Sequence, residues 1–149
     1  SVWAVFDKDS FPPQNFNAAI SKAYVNGINV AWSNEAFELW YLYHFQHRVT
    51  AMNRDDYKAA ISKAVNNTGR WKGKKAYKYK KNDECNFEIM TKYGDIEQAI
   101  RNAQHQHNSF TDSRYATHNP CTTVYKLVLQ LLNRDEELIA SVMKKIDSK

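Results

Sequence analysis

The chain has 149 residues, of which 43% are hydrophobic and 25% are charged, which predicts one folded domain and excludes a disordered chain. Its net charge of +5 suits a polyanionic partner, and its longest mostly apolar run, 37–45, is too short to cross a bilayer. Because no signal peptide opens the chain, we expect a cytoplasmic protein without a membrane partner. Cys85 and Cys121 lack the spacing of a disulfide framework or a zinc site, so we expect reduced thiols.

The first part of the chain predicts a β-α-β unit. Residues 2–6 and 28–32 form short apolar runs that are typical of buried strands. Between them, apolar residues recur at helical spacing from Asn15, the expected cap, to Gly27, the expected stop. The two strands should therefore be parallel, with a right-handed crossover.

The rest of the chain predicts mainly helices. A nearly all-apolar helix over about 35–46 should pack deeply, and a helix over 54–65 should bury one face that includes Tyr57. Further helices are expected to start at Asp95 and after Asn119-Pro120. A last helix should carry Leu138, Ile139, Val142, Met143 and Ile146.

These elements predict an α/β fold with a Rossmann-like parallel sheet and a helix-rich C-terminal half. We expect a single domain over 1–149, with a β-α-β-α core in 1–46 and a mainly helical remainder in 47–149. Two parallel strands alone cannot form a sheet covered on both faces. Either the chain is truncated at its N-terminus and lacks an upstream element, or the sheet gains strands near 76–79 or 86–90.

Asp7-Lys8-Asp9 follows the first predicted strand directly. In open parallel sheets, ligands bind at the carboxyl ends of the strands. Two carboxylates one residue apart can share Mg²⁺ or Mn²⁺, which orients a phosphodiester and activates water. The alternative is a polar turn with capping acids, and the tripeptide alone leaves both interpretations open.

Two acidic residues and one histidine follow the second predicted strand. Parallel strands carry their following loops side by side, so Glu35 or Glu38 is expected to approach the aspartates. Glu38 lies in an apolar helix, where its charge requires a partner. It is either a buried carboxylate bound to backbone amides or to a cation such as Arg48, or a ligand, base or orienting group. His44 lies about a third of a turn from that face and is either a core or a catalytic residue.

Residues 70–81 contain seven basic residues, no acidic residue and three interleaved aromatic residues. Such a segment is either a solvated loop or lysine-protected edge strand, or a surface that binds phosphates and stacks on bases. We favour nucleic-acid binding. The candidate residues are Arg70, Lys72, Lys74, Lys75, Lys78, Lys80 and Lys81, with Trp71, Tyr77 and Tyr79.

Residues 33–45, SNEAFELWYLYHF, resemble the signature helix of the RloB family, in which SN, two variable residues and FELW precede aliphatic residues and HF. Residues 5–9, VFDKD, are similar to the family's strand that ends in DxD. Residues 119–124, NPCTTV, resemble its PxTTV segment, and Tyr79-Lys80 its Tyr-Lys pair.

The resemblance covers most of residues 2–130 and implies a TOPRIM-related domain from abortive-infection and phage-resistance loci, often encoded beside an ATPase. It implies a Mg²⁺-dependent nuclease acting on RNA, for example tRNA, or on DNA, with Asp7 and Asp9 as metal ligands. Glu38 and His44 complete the set of candidate catalytic residues. In TOPRIM enzymes an acidic residue after an earlier strand joins the DxD pair. This sequence departs from that pattern, since only six residues precede Asp7.

Two other hypotheses remain. One is a non-catalytic module that binds nucleic acid or a partner protein within a defence complex. It rests on the basic and aromatic segment and on the missing upstream acid. The other is a phosphatase or phosphotransferase of the haloacid-dehalogenase kind with Asp7 as nucleophile. It fits less well, because Phe11 stands where that chemistry requires Thr or Val.

Overall fold

The computed structural model describes residues 1–138 and contains a three-stranded mixed sheet in the order β1-β2-β3. The strands are β1 (Trp3–Asp7), β2 (Asn29–Asn34) and β3 (Cys121–Thr122). β1 and β2 are parallel, which confirms the predicted β-α-β unit. β3 pairs antiparallel with β2, so the prediction of a purely parallel sheet is wrong. Within residues 1–138, β1 is an edge strand, and its Val5 side chain is 53% exposed.

Buried threonines explain how a two-residue strand is held. The Thr123 backbone N–H donates to the carbonyl oxygen of Trp32 at 2.8 Å, and the Thr123 hydroxyl accepts from the Trp32 N–H at 3.0 Å. The hydroxyls of Ser33 and Thr122 bond to each other at 2.8 Å. Side-chain hydrogen bonds thus supplement the short ladder between β2 and β3.

The first helix, α1 (Pro13–Val25), connects β1 to β2. It begins at a proline, whose fixed φ suits the first helical position, so the predicted cap Asn15 lies inside the helix. Gly27 follows with φ +68°, the left-handed conformation that ends many helices, as predicted. Phe16 and Ile20 are buried against the sheet.

Some of the remaining helices differ in their ends from the prediction; α2, for example, is shorter at both ends, and α3 starts later. They are α2 (Glu38–Tyr43), α3 (Tyr57–Asn67), α4 (Asn86–Tyr93), α5 (Ile96–Asn108) and α6 (Val124–Leu131), with 3₁₀ turns at Arg54–Asp56 and Tyr115–Thr117. Residues 86–90 are helical, so they add no strand. The helix expected after Pro120 starts only at Val124, because β3 precedes it. Except for Leu138, the apolar residues of the predicted last helix lie outside the described residues.

The sheet separates two apolar cores. On one face, α1 packs on Val30 and Trp32 of β2, with Phe6 of β1 beside them. On the other face lies a larger core that includes Ala31 and residues of α2, α3, α5 and α6. This division follows from the alternation of side chains along a strand. Among the described residues, no helix is long and apolar enough to cross a membrane.

Candidate functional site

The loops after β1 and β2 lie side by side at the carboxyl edge of the parallel pair. The backbone N–H of Lys8 donates to the Ser33 oxygen at 2.8 Å, and that of Asp9 donates to the Glu35 oxygen at 3.0 Å. Asp9 adopts φ +49°, a conformation that Asp tolerates better than most residues. The predicted meeting of the two loops is therefore confirmed.

Asp7 is the last residue of β1, and its carboxylate accepts a hydrogen bond from the backbone of Phe37. Partial burial raises the pKa of Asp7, and the nearby charges of Glu38 and Asp9 raise it further. The bond from Phe37 and the charge of Lys81 act in the opposite direction but do not offset the rise. Asp7 is thus a carboxylate whose negative charge is incompletely compensated.

Asp9 forms an ion pair with Arg54, with 2.5 Å between Oδ1 and Nη1. The hydrogen bond from Arg54 is the main reason why the pKa of Asp9 lies below its ordinary value. The Arg54 backbone N–H also donates to Glu35 Oε2 at 3.2 Å. Both side chains of the pair are partly exposed, so it contributes little to stability and can exchange partners.

Glu38 is the first residue of α2 and is only 8% exposed. Its Oε1 accepts a hydrogen bond from the Tyr79 hydroxyl at 3.1 Å. Burial, followed by the charge of Glu38, raises the pKa of Tyr79, so this hydroxyl remains a donor at neutral pH. Among the described residues, Glu38 therefore bonds to Tyr79. The suggestion from sequence that Arg48 is its partner is wrong.

A cleft with a volume of about 580 Å³ lies beside these groups. It is lined by Glu38, Arg54, Asp55, Tyr57, Lys58 and Lys81. Tyr57 is 1% exposed, and its buried hydroxyl has no hydrogen-bond partner among residues 1–138. Helical periodicity places Tyr57 on an apolar face and gives no sign that its hydroxyl lacks a partner, so sequence reasoning missed it. An unpartnered buried hydroxyl is costly unless a ligand or water satisfies it.

His44 is buried on the side of α2 that meets the start of α5. Its Nδ1 bonds to the carbonyl oxygen of Trp40 at 2.9 Å, and its ring packs edge-on against that tryptophan. The Asp95 backbone N–H donates to the His44 oxygen, and Gly94 packs against its side chain. Burial lowers the pKa of His44. These contacts fit a neutral core histidine, and among the described residues no hydrogen bond joins His44 to Asp7 or Asp9, so its catalytic role stays a prediction.

Residues 77–80 of the basic segment have no regular secondary structure and lie outside the sheet, so they are not the additional strand suggested from sequence. Side chains of α3 bind their backbone instead. The Tyr77 N–H donates to Asn66 Oδ1 at 2.9 Å, and the Tyr79 N–H donates to the Ser62 hydroxyl at 2.9 Å. Burial alternates along these residues, so that Tyr77 and Tyr79 are buried while Lys78 and Lys80 are exposed.

The aromatic residues of the segment serve packing. Trp71 packs against Tyr77 and Tyr93, and its indole N–H donates to the Lys75 oxygen at 2.8 Å. Tyr77 and Tyr79 are 7% and 6% exposed, so the predicted stacking on bases is wrong for these two rings. Arg70 donates to the Tyr93 oxygen at 2.6 Å, at the end of α4, which is a structural role. All seven cations of the segment are exposed, and besides Arg70 they are the lysines Lys72, Lys74, Lys75, Lys78, Lys80 and Lys81.

The acidic residues that follow β1 and β2 could supply some, but not all, of the ligands of a hard divalent cation. Among residues 1–138, no three His, Cys, Asp or Glu side chains are grouped closely enough to hold a metal ion. Mg²⁺ commonly takes one or two carboxylates and completes its shell with water and substrate phosphates. Asp7, with Asp9 or Glu38, provides carboxylates of that chemistry, and the raised pKa of Asp7 indicates a charge that a cation would stabilise.

Comparison with known proteins identifies one family. The model of the RloB-like protein family matches residues 1–131. No curated protein and no solved structure matches the chain.

Proposed function

The chain belongs to the RloB-like protein family, and from this premise we propose that it is a metal-dependent nuclease of anti-phage defence that cuts RNA or DNA. The observation that carries the proposal is the incompletely compensated carboxylate of Asp7, close to Glu38, which lines a cleft that also contains three cations and the carboxylate of Asp55. Perturbed carboxylates in a cleft are typical of catalytic sites. We also propose a TOPRIM-related fold and an ATPase partner encoded nearby, both of which rest on the family resemblance.

Asp7 and Asp9, or Asp7 and Glu38, would hold Mg²⁺ or Mn²⁺. When bound, the ion would supply charge neutralisation at the phosphodiester and an acidified water. Asp9 would give up its ion pair with Arg54, and the guanidinium, which also lines the cleft, would then bind a substrate phosphate. If Asp7 and Asp9 hold the ion, Glu38, whose carboxylate accepts a hydrogen bond from the Tyr79 hydroxyl, would accept a proton from the attacking water.

The basic groups of the cleft bind and position the substrate in this proposal. Lys58 and Lys81 provide charge for phosphate oxygens, and the Tyr57 hydroxyl, which is buried in the free protein, would donate to one of them when substrate binding exposes it. Lys81 belongs both to the cleft and to the basic segment. The exposed lysines of that segment therefore extend the phosphate-binding surface outward from the cleft.

The test compares wild-type protein with Asp7→Asn on end-labelled RNA and DNA, in Mg²⁺, Mn²⁺ and EDTA. Glu88→Gln removes one exposed negative charge on α4 and serves as the matched control. We expect metal-dependent cleavage by the wild type and the control, and loss of cleavage in Asp7→Asn with an unchanged circular dichroism spectrum. Equal cleavage by all three proteins would overturn the assignment of Asp7.

Two observations favour a second function, a non-catalytic module that binds nucleic acid in a defence complex. Arg54 already neutralises Asp9, and no three-ligand cluster exists among the described residues. In this case, binding is salt-sensitive and occurs without turnover in any divalent metal. The cleavage assay, combined with a filter-binding assay on the same substrates, separates the two functions.

A further inference from the structure

A second cavity, of about 350 Å³, is lined by residues of the end of β1 and the start of α1. Its walls are mostly aromatic and aliphatic. They are formed by Phe6, Asp7, Phe11, Asn15, Phe16 and Ala19. Asp7 lines this cavity, and it lies close enough to Glu38 and Lys81, which line the cleft, for their charges to act on it, so the cavity and the candidate catalytic cleft are near each other.

The mouth of this cavity carries an exposed aromatic ring on a fixed loop. Phe11 is 61% exposed although it borders an apolar space. Its backbone N–H donates to the Lys8 oxygen at 3.1 Å, and the Lys8 ammonium donates to the Phe11 oxygen at 3.2 Å. The same ammonium donates to the Asp9 oxygen at 3.2 Å. These bonds hold Asp9 and Phe11 in one loop, between β1 and α1.

We propose that this cavity holds the base of an unpaired nucleotide whose phosphate faces the cations of the neighbouring cleft. The inference rests on the proposed nucleic-acid substrate and specifies its class, a single strand or a nucleotide turned out of a duplex. A base has apolar faces and a polar edge. Phe11 stacks on one face, and the Asn15 amide, which offers both a donor and an acceptor, bonds to the edge. A stacked, paired base cannot enter such a cavity, so duplex is excluded unless it opens.

Two neighbouring alanines of α1 provide a matched pair of variants. Ala18 and Ala19 are both exposed, but only Ala19 lines the cavity. Ala19→Leu fills the cavity, whereas Ala18→Leu adds the same side chain outside it, and both preserve helix propensity. Phe11→Ala removes the stacking ring.

The probe is a short oligonucleotide with one 2-aminopurine, made as RNA and as DNA, in single-stranded and duplex form. Binding is measured in EDTA by anisotropy, and stacking by 2-aminopurine fluorescence. We expect single strands to bind with quenched fluorescence, and duplex to bind without quenching. Affinity should fall about tenfold or more in Phe11→Ala and Ala19→Leu, as expected for the loss of one base–aromatic stack, and remain unchanged in Ala18→Leu.

Equal binding and quenching in all four proteins would overturn the proposal, and so would a wild type that binds no single strand or quenches none. Stronger binding of RNA than of DNA, or the reverse, shows whether the protein prefers ribose or deoxyribose, and either result supports the base site. Because the assay contains no metal, it separates the two proposals. Loss of quenching in Ala19→Leu without cleavage under any condition would support the base site and refute the nuclease.

Discussion

The Tyr57 hydroxyl allows a prediction in which stability and activity change in opposite directions. Within the part of the chain that the structure describes, this hydroxyl is buried without a hydrogen-bond partner, so we expect the fold to bear its desolvation cost. Tyr57→Phe keeps the buried ring and removes only the oxygen. Leaving a buried hydroxyl unpaired costs about 1–3 kcal/mol, so the variant should be more stable by about 1 kcal/mol or more. For a chain of this size, 1 kcal/mol corresponds to roughly 2–4 °C in Tm.

The same oxygen is expected to bind a substrate phosphate during catalysis. A hydrogen bond to a charged acceptor contributes about 1.5–3 kcal/mol, so Tyr57→Phe should lower kcat/KM by about 10- to 150-fold. Calorimetry without metal measures the first effect, and the nuclease assay measures the second. A variant with a lower Tm and full activity would refute the reasoning, since it would mean that the hydroxyl has a partner within the protein and none in the substrate.

Three further predictions test other parts of the structure. Without divalent metal, Asp7→Asn should raise the free energy of unfolding at pH 7. Because the pKa of Asp7 is raised in the fold, this gain should shrink as pH falls through that pKa and vanish in acid, as followed by urea unfolding. Gly94→Ala should lower the free energy of unfolding by about 1–3 kcal/mol, because the added Cβ would lie 2.7 Å from the Cβ of His44 and overpack the core. An unchanged midpoint of urea unfolding would contradict this expectation. The exposed lysines are expected to bind phosphates of a single strand. Replacing four of them with Gln should then reduce the slope of the logarithm of the binding constant against the logarithm of the salt concentration by about 3. An unchanged slope would exclude these four lysines as phosphate ligands. These four are Lys74, Lys75, Lys78 and Lys80.

Local patterns in the sequence predicted the β-α-β unit and the meeting of its two loops. Apolar runs that end in polar residues identify β1 and β2, and parallel pairing then fixes where Asp7 and Glu35 lie. β3 was missed because it has only two residues and is held by threonine hydroxyls, which no periodic pattern reveals.

Contacts between distant residues limited the prediction of the site. Arg54 pairs with Asp9 across 45 positions, and Tyr79 reaches Glu38 across 41. The alternation of Tyr and Lys in 77–80 is visible in the sequence, but the partner of that segment is α3 rather than the sheet. The run of basic residues therefore correctly predicted that the lysines are exposed. The aromatic content did not predict that the tyrosines between them are buried in the core.

The edge position of β1 has a practical consequence for handling the protein. Among residues 1–138 the outer backbone of this strand has no neighbouring strand, and its exposed Val5 adds an apolar contact. Such an edge can accept another extended chain through main-chain hydrogen bonds. We expect concentrated samples to self-associate along this edge, and Val5→Lys to keep them monodisperse in light scattering, because a charged side chain there opposes strand addition.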